Sequence, residues 1–169
     1  MESEPGQGAR FAVTLPRDPR EESRPEPTVP PRAAAPGGDL TVLVVDDEIA
    51  LRNALLRFLA RRGIRGEGVS DGAEALRVLQ QRNFDVIISD VRMPGMSGRE
   101  FLERLGRDRP DLVPRVVLST GDTFAPDTAA LLKESGVPTV TKPFDFAMLE
   151  RLLREVATRA AAGRPKAAG

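Results

Sequence analysis

Four apolar runs, each the length of one strand, punctuate this chain. Leu40 to Val45, Phe84 to Ser89, Val116 to Ser119 and Val137 to Thr141 are rich in β-branched residues, as in Val42-Leu43-Val44-Val45 and Val86-Ile87-Ile88. Runs without polar alternation are the mark of strands buried on both faces, as in a parallel sheet covered by helices. Between them the spacing changes to that of a helix. Leu51, Leu55, Leu56 and Leu59 form one stripe, and Leu149, Leu152, Leu153 and Val156 form another at i, i+3, i+4 and i+7. Ser97 with Glu100, and Asp71 with Glu74, have capping-box spacing, while Pro126 and Gly136 bracket a further helix. The alternation predicts an α/β domain over residues 40–159.

The residue that closes each run adds chemistry to this pattern. The runs end at Asp46-Asp47, Asp90, Thr120 and Lys142. A parallel sheet gathers such residues at one edge, outside the carboxyl ends of its strands, where open α/β sheets bind ligands. Three carboxylates held close resist joint ionisation unless a cation neutralises them. Oxygen-only ligands suit magnesium, which keeps waters and shares its shell with phosphate oxygens. Lys142 and Thr120 supply what an incoming phosphoryl group needs, a fixed positive charge and a hydrogen-bond donor. Each feature alone has an ordinary explanation: acids at a helix start, a turn aspartate ahead of Pro94-Gly95, a surface lysine before Pro143. Their shared placement at strand ends sets them apart.

Val44-Val45-Asp46-Asp47-Glu48, Asp90-Val91-Arg92-Met93-Pro94-Gly95-Met96-Ser97-Gly98, Ser119-Thr120-Gly121 and Thr141-Lys142-Pro143-Phe144 resemble, in order and spacing, the receiver domain of two-component response regulators. The resemblance implies a flavodoxin-like, doubly wound, five-stranded parallel sheet with strand order 2-1-3-4-5, which periodicity alone does not fix. It implies that Asp90 is the phosphoacceptor and that Thr120 and Lys142 contact phosphoryl oxygens. It implies Mg2+ held by Asp47, Asp90 and the backbone carbonyl of Arg92, with Asp46 acting largely through a water. The phosphoryl donor is then a histidine kinase or histidine phosphotransfer protein. The Lys142–Pro143 peptide is expected to be cis, Met93, Met96 and Phe144 to serve packing, and Gly98 and Gly121 to give the backbone room near the site. One position departs from the family, which usually carries an aromatic residue three places before the lysine. Here it is Thr139.

The flanking segments read differently. In residues 1–15 a glycine turn precedes alternating Phe11, Val13 and Leu15, and the stretch resembles the last glycine box and final strand of a histidine kinase ATP-binding domain. A remnant of that domain is expected there, which makes the chain the C-terminal part of a hybrid histidine kinase. Residues 16–39, rich in proline, arginine and glutamate, are expected to be a disordered linker, and 160–169 a loose tail. The chain has no histidine, so a phosphohistidine has to come from a partner. No kinase catalytic core is expected, only a receiver's own phosphorylation and dephosphorylation.

With 25 basic and 25 acidic residues, charge makes no case for nucleic acid or an anionic membrane. The absence of cysteine excludes disulfides and thiolate chemistry. The longest apolar runs fall far short of the ~20 residues of a membrane span, and the acidic N-terminus lacks the features of a signal peptide. A cytoplasmic location without membrane contact is expected. Two other readings are open. A haloacid dehalogenase-type phosphatase carries a second aspartate two places after its nucleophile, where this chain has Arg92. A receiver-like binding module would never turn over phosphate.

Overall fold

A computed structural model of the chain describes residues 40–162. The expected kinase remnant at 1–15, the expected linker at 16–39, and 163–169 lie outside the described residues. Five strands, β1 Thr41–Val45, β2 Arg65–Val69, β3 Val86–Asp90, β4 Val116–Thr120 and β5 Thr139–Thr141, form one sheet. All pairs are parallel, and the order is β2-β1-β3-β4-β5. Helices α1 Ile49–Arg61, α2 Gly72–Gln81, α3 Gly98–Asp108, α4 Pro126–Ser135 and α5 Phe146–Ala162 alternate with them. This is the flavodoxin-like topology that the resemblance implied.

Alternate strand residues feed two cores, one on each face of the sheet. Leu43, Val45, Ile87, Val116 and Leu118 pack with Leu79, Phe101, Leu105 and Leu131 beneath α2, α3 and α4. Val42, Val44, Val86, Ile88 and Val117 pack with Leu55, Leu59, Leu149, Leu153 and Val156 of α1 and α5. Full burial of one such side chain contributes about 1.5–3 kcal/mol, so the sheet is a rigid base for whatever its strand ends carry. Register levels those ends: Val45 lies opposite Ser89, Asp90 opposite Ser119, and Thr120 opposite Thr141.

Capping fixes where α3 starts, one loop beyond Asp90. Ser97 and Glu100 form the full reciprocal box, with Ser97 N–H donating to the Glu100 carboxylate at 2.9 Å. Those bonds hold the Glu100 carboxyl below its ordinary range. The second box is only half made. Asp71 accepts from Glu74 N–H at 2.8 Å, but the Glu74 carboxylate turns to the N–H and hydroxyl of Ser70. Pro126 opens α4, and Gly136 closes it in the left-handed conformation, φ +62°.

The structure departs from the sequence expectation at four places. β2 is a strand without an apolar run, because it is an edge strand and buries only Val69. β5 begins at Thr139 rather than Val137. A 3₁₀ segment, Pro110–Arg115, joins α3 to β4. The last helix runs on through Ala162, three alanines into the expected tail, because alanine is the strongest helix former. No helix among the described residues is long and apolar enough to cross a membrane.

Candidate functional site

Asp46 leaves the end of β1 nearly fully buried, 1% exposed, and four of its atoms are held. Its N–H donates to the Val69 carbonyl at 3.2 Å. Its Oδ1 accepts from Glu48 N–H at 2.9 Å, its Oδ2 from the Lys142 ammonium at 2.9 Å, and its carbonyl from the Arg52 guanidinium. Asp47, the next residue, is exposed. Asp90 closes β3 at 7% exposure; its Oδ2 accepts from Lys142 at 2.6 Å and its Oδ1 from Arg92 N–H at 3.3 Å. One carboxylate oxygen each from Asp46, Asp47 and Asp90 lies within 4.8 Å of the others.

Lys142 arrives from the opposite side, just past β5, where its backbone N–H donates to the Thr120 carbonyl at 2.7 Å. Burial alone would lower its pKa. The hydrogen bonds and charges of Asp90 and Asp46 outweigh that effect and hold the ammonium above its ordinary value. The Lys142–Pro143 peptide is cis, as expected.

Thr120 ends β4 almost fully buried, but its hydroxyl faces the loop beyond it. It donates to the Asp122 carbonyl at 3.2 Å and accepts from Asp122 N–H at 3.1 Å, and makes no hydrogen bond to Asp90. The Arg92 side chain points into solvent and meets the Asp122 carboxylate at 3.4 Å. Asp46, Asp47, Asp90 and Lys142 are therefore gathered into one cluster, with Thr120 at the adjoining strand end.

The packing expectations divide. Met93 and Met96 are buried in the core under α2 to α4, and Phe144 packs against the other core. Gly98 does give the backbone room: a Cβ there would lie 2.6 Å from the Asp90 carbonyl oxygen and 2.8 Å from Val91 Cα. Gly121 does not, since a Cβ on it would meet nothing within 4 Å. Thr139 is half-buried, its hydroxyl donating to the Val137 carbonyl at 3.4 Å. Arg52 belongs to the site and no sequence motif announced it, because its partner is a backbone carbonyl.

A cluster of three carboxylates with no nitrogen or sulfur donor fits a hard divalent cation. The Oδ1 atoms of Asp46 and Asp90 each accept only a backbone N–H, which leaves lone pairs for such an ion.

Comparison with known proteins identifies the family. The sequence matches the family described as response regulator receiver domain over residues 42–154. The chain belongs to that family. It is 31% identical to the sensor kinase CckA of Brucella abortus over 166 residues, covering 92% of this chain and 17% of CckA. It is 38% identical to the C4-dicarboxylate transport transcriptional regulatory protein DctR of Rhodobacter capsulatus, over 62% of this chain and 53% of DctR. The chain thus spans about half or less of these relatives. Among solved structures, the chemotaxis protein CheY4 of Vibrio cholerae superposes with a TM-score of 0.63 at 34% identity, over 70% of this chain and 98% of CheY4. The receiver domain of a Syntrophus aciditrophicus signal transduction histidine kinase gives 0.66 at 29% identity, over 76% and 96%.

Proposed function

We propose that Asp90 accepts a phosphoryl group from the phosphohistidine of a histidine kinase or histidine phosphotransfer protein. The observation that carries this reading is the convergence of the Lys142 ammonium and the carboxylates of Asp46 and Asp47 on Asp90, the last residue of the central strand β3. An Asp90 carboxylate oxygen attacks phosphorus while the P–N bond to the partner's imidazole breaks, and the imidazole nitrogen keeps the electron pair and takes a proton. Lys142 stabilises the charge that builds on the phosphoryl oxygens, and Thr120, by turning its hydroxyl from Asp122, donates to another. The chain's contribution is position and fixed charge. Asp46, Asp47, Asp90 and the Arg92 carbonyl would hold Mg2+, which would supply positive charge to neutralise the carboxylates and the incoming phosphoryl group. Ile49 and Met148, exposed apolar residues in the first turns of α1 and α5, offer a helical partner contact beside the site.

The test is incubation with acetyl phosphate and magnesium, read by intact-mass spectrometry. One phosphoryl group is expected on the wild type and none on Asp90→Asn. Equal labelling of the variant would place the chemistry elsewhere, and no labelling of the wild type would favour a binding module without phosphoryl turnover.

The hybrid-kinase setting and a cytoplasmic location are part of the same proposal. Similarity to a sensor kinase over 92% of the chain is more than residues from 40 onward can supply, so it reaches into the N-terminal segment. A match of that extent supports the hybrid-kinase setting. Fusion of this reading frame to upstream kinase-coding sequence is the observation that tests it.

A further inference from the structure

Asp46 and Asp47 share one peptide group, and that peptide is gripped from below. The Arg52 guanidinium, from the first turn of α1, donates to the Asp46 carbonyl. Asp46 is otherwise fixed through its N–H and both carboxylate oxygens. Asp47 is different: no hydrogen bond or ion pair to its side chain is made among the described residues, although it contributes one corner of the acidic cluster. Its carboxylate is aimed by its backbone alone. Arg52 holds the carbonyl end of the 46–47 peptide from which the Asp47 side chain departs.

Strand β2 makes the grip possible. The Arg52 stem lies across Gly68, where a Cβ would sit 3.0 Å from both its Cγ and its Cδ. Leu56 Cδ1 lies at the same 3.0 Å, so an added methyl meets two α1 side chains and no backbone, and it is the Arg52 stem and the Leu56 tip that have to shift. Gly68 thus keeps open the path by which an α1 side chain reaches the loop after β1.

We infer that Arg52 is a positioning residue for the metal cluster, seated by Gly68, which orients the Asp47 carboxylate toward a bound divalent cation. The inference rests on the metal reading given under the proposed function. It separates cleanly from a bulk charge effect, because the two have opposite signs. A guanidinium acting only as a nearby positive charge repels a metal ion, and its removal tightens binding. A guanidinium that aims a ligand loosens binding when removed, and outer-sphere partners of metal ligands are worth on the order of tenfold or more in affinity.

The test is calorimetric titration of the full 169-residue chain with magnesium chloride, alongside thermal melting without metal. Arg52→Met, which keeps an apolar stem and loses the donor, is expected to raise the magnesium Kd roughly tenfold. Arg52→Lys keeps a donor and falls between. Gly68→Ala is expected to weaken magnesium binding while changing the melting temperature little, since the gain of replacing glycine inside a strand offsets the small shift asked of Arg52 and Leu56. A purely structural role for Arg52 cannot make affinity and stability move apart in this way. An unchanged or tighter Kd in folded Arg52→Met overturns the inference, and where that variant does not fold, unchanged affinity in Gly68→Ala overturns it equally. Wild-type protein that binds no magnesium overturns the metal reading and this inference with it, a result distinct from the other two.

Discussion

The Lys142 ammonium stands 2.6 Å from Oδ2 of Asp90, so the proposed nucleophile carries its countercharge before any phosphoryl group arrives. The same ammonium reaches Asp46 at 2.9 Å. Lys142→Met leaves two buried carboxylates facing each other. Deleting one partner of a fully buried pair costs roughly 3–5 kcal/mol, and the part of Lys142 that still meets solvent reduces this to about 1–3 kcal/mol here. Urea unfolding at neutral pH measures the loss, and magnesium should recover part of it by returning a cation to the same oxygens. Equal midpoints for wild type and variant would remove the claim.

Alkaline pH should erode the same interaction. The folded-state pKa of Lys142 is raised, so its stabilising effect is fully present below the unfolded value of about 10.4 and is lost as pH rises through the folded value. Melting temperatures of wild type and Lys142→Met should differ most at pH 7 to 9 and converge only once the pH has passed the raised folded value. A gap that stays constant across this range would show that Lys142 does not titrate against Asp90 and Asp46.

Arg92 and Asp122 meet at 3.4 Å across the loops that follow β3 and β4. Both are well exposed, and such a pair is worth only about 0–1 kcal/mol, so its effect on stability is small. Its effect on the lifetime of a phosphoryl group at Asp90 should be steric, by hindering in-line approach of water. Arg92→Ala and Asp122→Ala are each expected to hydrolyse faster, with little further gain in the double variant. Half-lives unchanged in all three would end the idea.

Two glycines near the site should respond differently to one added methyl group. At Gly98 the neighbours are backbone atoms of Asp90 and Val91 that cannot step aside, so Gly98→Ala should destabilise by about 1–3 kcal/mol. At Gly121 nothing stands within 4 Å, so Gly121→Ala should fall within about 0.5 kcal/mol of wild type. Chemical denaturation of both variants decides it, and equal losses would mean that crowding is not what separates them.

Much of this was legible in the sequence because burial and chemistry coincide at strand ends. The runs that became β1, β3 and β4 are apolar on both faces, and each hands over directly to Asp46, Asp90 or Thr120. β2 was illegible for the opposite reason: as an edge strand it carries Arg65, Gly66, Glu67 and Gly68, and its place is fixed by backbone pairing with β1. Gly66 and Gly68 serve the close approach of α1, where a Cβ at 66 would lie 2.8 Å from Leu56 Cδ2. The orientation of Thr120 was also out of reach, since its bonds run to backbone atoms of Asp122 and leave no side-chain pattern. Strand order came from the family resemblance, because five similar βα units carry no local record of which strands pair.

The bonds from Lys142 to Asp46 and Asp90 span 96 and 52 residues of chain. The site therefore does not exist in any fragment of the domain; β1, β3 and β5 must all be in register before it forms. A ligand that recognises the assembled cluster binds the folded chain alone, and binding free energy becomes folding free energy. At a concentration one hundred times its Kd, a ligand of this kind adds about 2.7 kcal/mol to global stability. Hydrogen exchange should consequently slow in strands on both sides of the sheet when the site fills, and occupancy of a pocket at one edge is read as cooperative protection throughout the domain.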